Sequence, residues 1–119
     1  IPVGYNIIGF DMPIVNRLCE QFGPWDKSRM EQKIFSKVYK VDLMDNIFMW
    51  TEGDPSVRSI SMDSLRERMG LSSENAHDAL QDVKDTANIF IKMIKTHRTV
   101  YQNIEFEKAF AGKGALYIK

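Results

Sequence analysis

Residues 75–87 read NAHDALQDVKDTA and place a histidine and three aspartates at the head of the longest helical pattern in the chain. From there to Lys95 the apolar residues recur at spacings of three and four, which indicates an amphipathic helix with one apolar face. We expect that face to lie in the core. Its members are Ala76, Ala79, Leu80, Val83, Ala87, Phe90, Ile91 and Ile94.

His77 and Asp82 lie off this apolar stripe, near the start of the predicted helix. Negative charge is favoured at a helix N-terminus, and metal and phosphate sites are often placed there. The pair therefore has two interpretations. In one, a proton-transferring histidine lies beside a metal-binding aspartate. In the other, a solvated histidine precedes ordinary capping acids, which is the commoner role of these residue types alone. We expect Asp78 and Asp85 to be acids of the helix surface.

A second informative stretch is residues 3–13, VGYNIIGFDMP. It predicts a short buried strand that runs into a helix, with Asn6 and Asp11 at the junction. Residues 37–42 alternate and are rich in strand-forming residues, so we predict a second strand parallel to the first. In open α/β sheets, ligand sites lie at the carboxyl ends of the strands. Polar residues at that edge are therefore candidates for a site.

Together the two stretches resemble the DEDDh 3′–5′ exonucleases, the family that includes polymerase proofreading subunits. Asn6 with Phe10 and Asp11 is similar to the second motif, and His77 with Asp82 is similar to the third. The sequence around His77 is especially similar to that of bacterial exonuclease I. A histidine five residues before the aspartate favours the histidine branch over the branch that uses tyrosine. The resemblance covers residues 3–95.

The resemblance implies an α/β, ribonuclease H-like exonuclease fold that is only partly present. The first motif of the family, Asp-x-Glu, occurs nowhere in the 119 residues. We therefore expect residues 1–119 to form a single partial domain, corresponding to the C-terminal two-thirds of the family fold. It would be mostly helical with two parallel strands. Two of four carboxylates hold a metal pair poorly, so we expect this chain alone to be inactive or nearly so.

The resemblance also assigns roles to individual residues. Asp11 and Asp82 would be two of the four acids that bind a pair of Mg²⁺ or Mn²⁺ ions, hard cations that prefer oxygen ligands. His77 would deprotonate the attacking water, which suits an imidazole near neutral pH. Asn6 and Phe10 would contact the 3′ end of single-stranded DNA or RNA, by a hydrogen bond and by stacking. For Phe10 a core position is equally open.

Two other functions stay open at this point. The chain could be a non-catalytic module that keeps part of the exonuclease fold to bind nucleic acid or protein. It could also be a helical interaction domain in which both motifs are coincidental. The residues that would distinguish a DNA from an RNA substrate are not identifiable, because no donor to a 2′-hydroxyl can be named.

The amino-acid composition limits the class of protein to which the chain can belong. With 44% hydrophobic and 27% charged residues and no formal net charge, the chain is typical of a soluble globular domain and lacks a strongly basic balance. The single cysteine, Cys19, has apolar neighbours and should be buried. This usage fits a reducing compartment, so we expect a cytoplasmic location. No apolar stretch is long enough to cross a membrane.

The other segments give weaker predictions. Residues 25–37 should be a loop, Asp42 should cap a helix over residues 43–49, and a helix over residues 61–69 should end at Gly70. The helix of residues 75–95 should break at residues 96–99. Residues 115–118 should form an edge strand or an ordered tail. A sheet of two strands leaves an edge open, so we predict self-association, a homo-oligomer formed through that edge.

Overall fold

The computed structural model describes residues 1–105, 107 and 108. Residues 115–118, predicted as an edge strand or tail, lie outside the described residues. The chain divides into two compact units, Ile1–Gln81 and Asp82–Lys119. The molecule is mixed α/β and 56% helical, with a small parallel sheet. The predicted class, mostly helical with two parallel strands, is therefore confirmed at that level. The ribonuclease H-like fold and the self-association stay predictions.

The described part of the first unit holds four two-residue strands, which are β1 (Val3–Gly4), β2 (Trp25–Asp26), β3 (Glu31–Gln32) and β4 (Val41–Asp42). Strands β1 and β4 pair in parallel, with Val3 opposite Val41 and Gly4 opposite Asp42. The predicted parallel pairing is therefore correct. The second strand is shorter than residues 37–42, because only its last two residues join the ladder.

Strands β2 and β3 form an antiparallel hairpin where the sequence predicts a loop. The turn is closed by Asp26, whose Oδ1 accepts hydrogen bonds from the Ser28 hydroxyl at 2.7 Å and from the Arg29 backbone N–H at 3.2 Å. The Ser28 hydroxyl bond is the main cause that lowers the pKa of Asp26. Two-residue strands carry too little alternation to be recognised in a sequence, which explains why the hairpin was not predicted.

Three helices complete the first unit: α1 (Met12–Phe22), α2 (Leu43–Thr51) and α3 (Met62–Met69). Helix α1 ends at Gly23. Helix α2 is capped by Asp42, as predicted. Helix α3 begins after Ser61, whose side chain accepts from the Ser64 N–H. It ends at Gly70, which adopts the left-handed conformation with φ of 69° that glycine allows without strain.

The buried apolar side chains of the first unit come from every helix in it. They are Ile7, Cys19, Leu43, Ile47 and Leu65. Cys19 is a free, buried thiol, as predicted. Tyr5 adds a polar link to this core, because its hydroxyl donates to the Ile60 carbonyl, 55 positions along the chain.

Helix α4 (Ala79–Asn103) differs at both ends from the prediction. It begins after Asp78, whose Oδ1 accepts from the Gln81 N–H at 3.0 Å. It also continues through residues 96–99, where a break was predicted. Thr96 and Thr99 are accommodated because each hydroxyl donates to the carbonyl four residues earlier.

The apolar face predicted for α4 is not the buried one. Leu80, Val83 and Ile91 are exposed, whereas the buried residues of this helix are Asp85, Ile89 and Met93. These three are spaced by four, so they form a separate stripe along the helix. Asp85 is correspondingly not the surface acid that was predicted. Counting apolar residues alone selects the wrong stripe, since the buried one contains an aspartate.

No helix in residues 1–105, 107 and 108 combines the length and the apolar character needed to cross a membrane.

Candidate functional site

The first candidate segment is the turn that follows β1. After Gly4 the chain leaves the sheet, and Ile7–Asp11 forms a single π-helical turn that leads directly into α1. Asn6 enters this turn in the left-handed conformation, with φ of 60°. Asparagine tolerates this conformation better than most residues other than glycine. The predicted junction of strand and helix therefore exists, with a tighter geometry than a simple strand followed by a helix.

Asp42 holds this turn in place. Its carboxylate is buried and accepts three backbone hydrogen bonds: Oδ1 from Asn6 at 2.7 Å and from Met44 at 3.1 Å, and Oδ2 from Ile8 at 3.1 Å. The Met44 bond is the helix cap that the sequence predicts. The other two bonds attach the Asn6–Ile8 backbone to the carboxyl end of β4. One side chain thus fixes both the start of α2 and the turn after β1.

The predicted site residues of this turn all face solvent. Asn6 and Asp11 are exposed, and Phe10 is 62% exposed. The core position considered for Phe10 is therefore wrong. The amide of Asn6 leans over its own turn, because a Cβ at Gly9 would lie only 2.7 Å from the Asn6 Oδ1. Glycine at position 9 is what allows this close approach.

His77 lies in the turn just before α4 and not within the helix. Its φ is 72°, a left-handed conformation that is uncommon for a residue with a side chain. The imidazole is exposed. Such backbone conformations cost about 1–3 kcal/mol, and histidine is among the residue types that adopt them more often than most.

The partner of His77 is Asp63, in the first turn of α3. Nε2 of His77 lies 3.6 Å from Oδ2 of Asp63. The other oxygen of the same carboxylate, Oδ1, is 3.2 Å from Nη1 of Arg66, whose side chain is 2% exposed. Asp63 and His77 line a cleft of about 750 Å³, and its other lining residues are Glu67, Gly70, Leu71, Ser72, Ser73 and Ala76.

Asp82 lies in the first turn of α4 and is half-buried. It is the first residue of the second unit, whereas Asp11 and His77 belong to the first. Its backbone carbonyl accepts from the Thr86 hydroxyl at 2.8 Å. Of the predicted residues, the structure joins Asn6, Phe10 and Asp11 on one turn and pairs His77 with a residue that was not predicted.

The donor set for a metal is incomplete in the part of the chain that the structure describes. Among those residues, no three side chains of His, Cys, Asp or Glu are grouped so that they could hold a metal ion. The Mg²⁺ or Mn²⁺ site that the resemblance assigns to Asp11 and Asp82 stays a prediction.

The polar environment of the turn also includes Tyr5. Burial raises the pKa of its phenol, and the nearby negative charge of Asp42 raises it further, to about 12. Tyr5 is therefore protonated throughout the physiological range and donates its hydroxyl hydrogen to Ile60. It fixes the chain immediately before Asn6.

Two residues important to this arrangement were missed or underestimated in the sequence. Asp63 has the appearance of an ordinary first-turn acid of α3, and nothing at its spacing from His77 marks the pair. The only available signal was Gly70, which ends α3 and lets the short following loop return past that helix. Asp42 was identified as a cap, but its two bonds to the turn after β1 have no local signature.

No family model, curated protein or solved structure matches this chain.

Proposed function

We propose that this chain belongs to a metal-dependent 3′–5′ exonuclease that hydrolyses phosphodiester bonds at nucleic-acid 3′ ends. The main support is the turn of residues 6–11. It lies at the carboxyl ends of two parallel strands, is held by the Asp42 carboxylate, and presents Asn6, Phe10 and Asp11 to solvent. This is the edge of an α/β sheet at which ligands bind.

The residue roles in this proposal follow from chemistry and exposure. Phe10 stacks on the terminal base of a single-stranded end, and Asn6 hydrogen-bonds to the same nucleotide. His77 accepts the proton of the attacking water. Asp11 and Asp82 contribute carboxylate oxygens to Mg²⁺ or Mn²⁺, and the proposal requires further acidic ligands for that site.

The second candidate is a non-catalytic module that binds single-stranded nucleic acid. The observation that favours it is the exposure of Phe10, because an aromatic ring in solvent next to a polar turn can stack on a base without any chemistry. The two candidates share the turn of residues 6–11. They differ in the roles of His77 and Asp82, which the exonuclease needs for catalysis and the binding module does not need.

The deciding experiment follows 5′-labelled single-stranded DNA and RNA in Mn²⁺, with the protein in excess over the oligonucleotide. Because the chain lacks the Asp-x-Glu ligands, we expect at most slow shortening from the 3′ end, and any shortening should fall by about 100-fold or more in H77A and in D82N. D78N is the matched control. It makes the same substitution four residues from Asp82, and asparagine still caps α4, so its rate should equal that of the wild type.

Binding of the same oligonucleotides, measured by fluorescence anisotropy, separates the two candidates. If no variant shortens DNA or RNA but F10A weakens binding, the chain is a binding module. If F10A binds normally and H77A shortens the oligonucleotide at the wild-type rate, the roles assigned to Phe10 and His77 are wrong.

A further inference from the structure

Two features of His77 are not explained by its position in the sequence. Its backbone is in the left-handed region, and its imidazole lies against a carboxylate on another helix. The contact lies at the surface, with the His77 side chain 80% exposed and that of Asp63 59% exposed. Asp63 is itself constrained, because Arg66 is buried and holds its Oδ1 at 3.2 Å. The result is a short chain of contacts from a buried guanidinium, through a carboxylate, to an exposed imidazole.

We propose that Asp63 is the positioning residue of His77. The anchored carboxylate directs Nε2 towards α3 and leaves Nδ1 as the ring nitrogen facing away from that helix. A catalytic role for the contact between Asp63 and His77 rests on the proposed exonuclease function. The contact itself does not depend on that function.

A second acidic residue of the cleft provides a control for the role of Asp63. Glu67 also lines it and carries the same charge as Asp63, one helical turn further along α3. A general effect of negative charge in the cleft would involve both acids equally. A positioning role belongs to Asp63 alone, since its carboxylate is the one held by Arg66 and directed at Nε2.

The test uses diethyl pyrocarbonate, which modifies accessible imidazole nitrogens, on the intact chain. The chain has two histidines, so His97 serves as an internal reference, and mass spectrometry of peptides gives the ratio of the two rates. We expect D63N to raise the relative rate at His77 by about two- to five-fold, because the neutral amide no longer holds Nε2 against α3 and an exposed pair of this kind contributes only a modest amount. D63E, which keeps the charge, should restore most of the protection, and E67Q should leave the ratio unchanged.

The proposal is overturned if D63N leaves the ratio as in the wild type, or if E67Q raises it equally. Loss of folding would increase both histidine rates and is detected by far-ultraviolet circular dichroism. The labelling needs no nucleic acid, so a failure of the exonuclease proposal does not affect it. If the pairing holds and the chain shortens DNA, D63N should slow the shortening while binding the oligonucleotide normally.

Discussion

Asp42 combines two structural roles that are usually separate. A helix cap satisfies one or two backbone donors of its own helix. Asp42 does this for Met44 and, in addition, accepts from Asn6 and Ile8. Because the carboxylate is buried, water cannot replace it readily at these donors. The position of the candidate turn therefore depends on a residue that belongs to another element.

Replacing Asp42 with alanine tests this dependence. D42A leaves three backbone N–H groups without their acceptor, so we expect the free energy of unfolding to fall by about 3 kcal/mol. Urea unfolding followed by circular dichroism measures the change. D45A is the matched control, because Asp45 is exposed in the first turn of the same helix and should contribute only about 0.5 kcal/mol through the helix dipole. Equal losses in the two variants would contradict the role assigned to Asp42.

At the level of single residues, local chemistry could be predicted and distant partners could not. The cap at Asp42 follows from residue type and position. Its bond to Asn6 joins residues 36 positions apart, and the pairing of Asp63 with His77 depends on how α3 ends and the chain returns. Neither relation has a periodic signature in the sequence.

Among the secondary-structure elements, α4 shows most clearly the difference between predicting a helix and predicting its buried face. Its apolar stripe is regular enough to identify the helix. The side chains that the structure buries lie on another stripe, which includes Asp85. Periodicity reports where apolar residues are, whereas burial is decided by what packs against the helix. The hairpin of β2 and β3 was missed for a related reason, since its strands are too short to show a pattern.

Two isoleucines on α4 give a direct measurement of this difference. Ile89 is 0% exposed and Ile91 is 50% exposed, and both lie in the same helix. I89A should reduce the free energy of unfolding by about 3 kcal/mol, because it removes buried methyl groups and leaves a cavity. I91A should cost about 1 kcal/mol or less. Urea unfolding compares the two, and a larger cost for I91A would restore the stripe predicted from the sequence.

At the scale of the whole molecule, Tyr5 forms a hydrogen bond between two distant parts of the sequence. Its hydroxyl reaches the Ile60 carbonyl across 55 positions, so it links the N-terminal strand to the segment that leads into α3. The raised pKa of Tyr5 makes the contribution of this hydrogen bond to stability sensitive to alkaline pH. Below pH 10 both folded and unfolded states carry the phenolic proton. Between pH 10.0 and about 12 the unfolded state loses it and the folded state keeps it, so stability falls as pH rises.

Comparison with Y5F isolates this effect from other groups that titrate in the same range. At pH 9 the wild type should be more stable than Y5F by about 1 kcal/mol, the net contribution of one hydrogen bond. The difference should shrink at pH 11.5, because phenylalanine has no proton to lose. Urea unfolding at the two pH values measures it. A difference that stays constant or grows with pH would show that the Tyr5 phenol does not titrate as described.

The Asp42 bonds also have a consequence for the order of folding. Helices form from neighbours in sequence, but the turn of residues 6–11 depends on an acceptor 36 positions away. The intervening chain must first close a loop, and the entropic cost of closure precedes any gain from the bonds. We therefore expect the turn of residues 6–11 to form late, once the chain between it and Asp42 has closed, and to be lost early when that closure is lost.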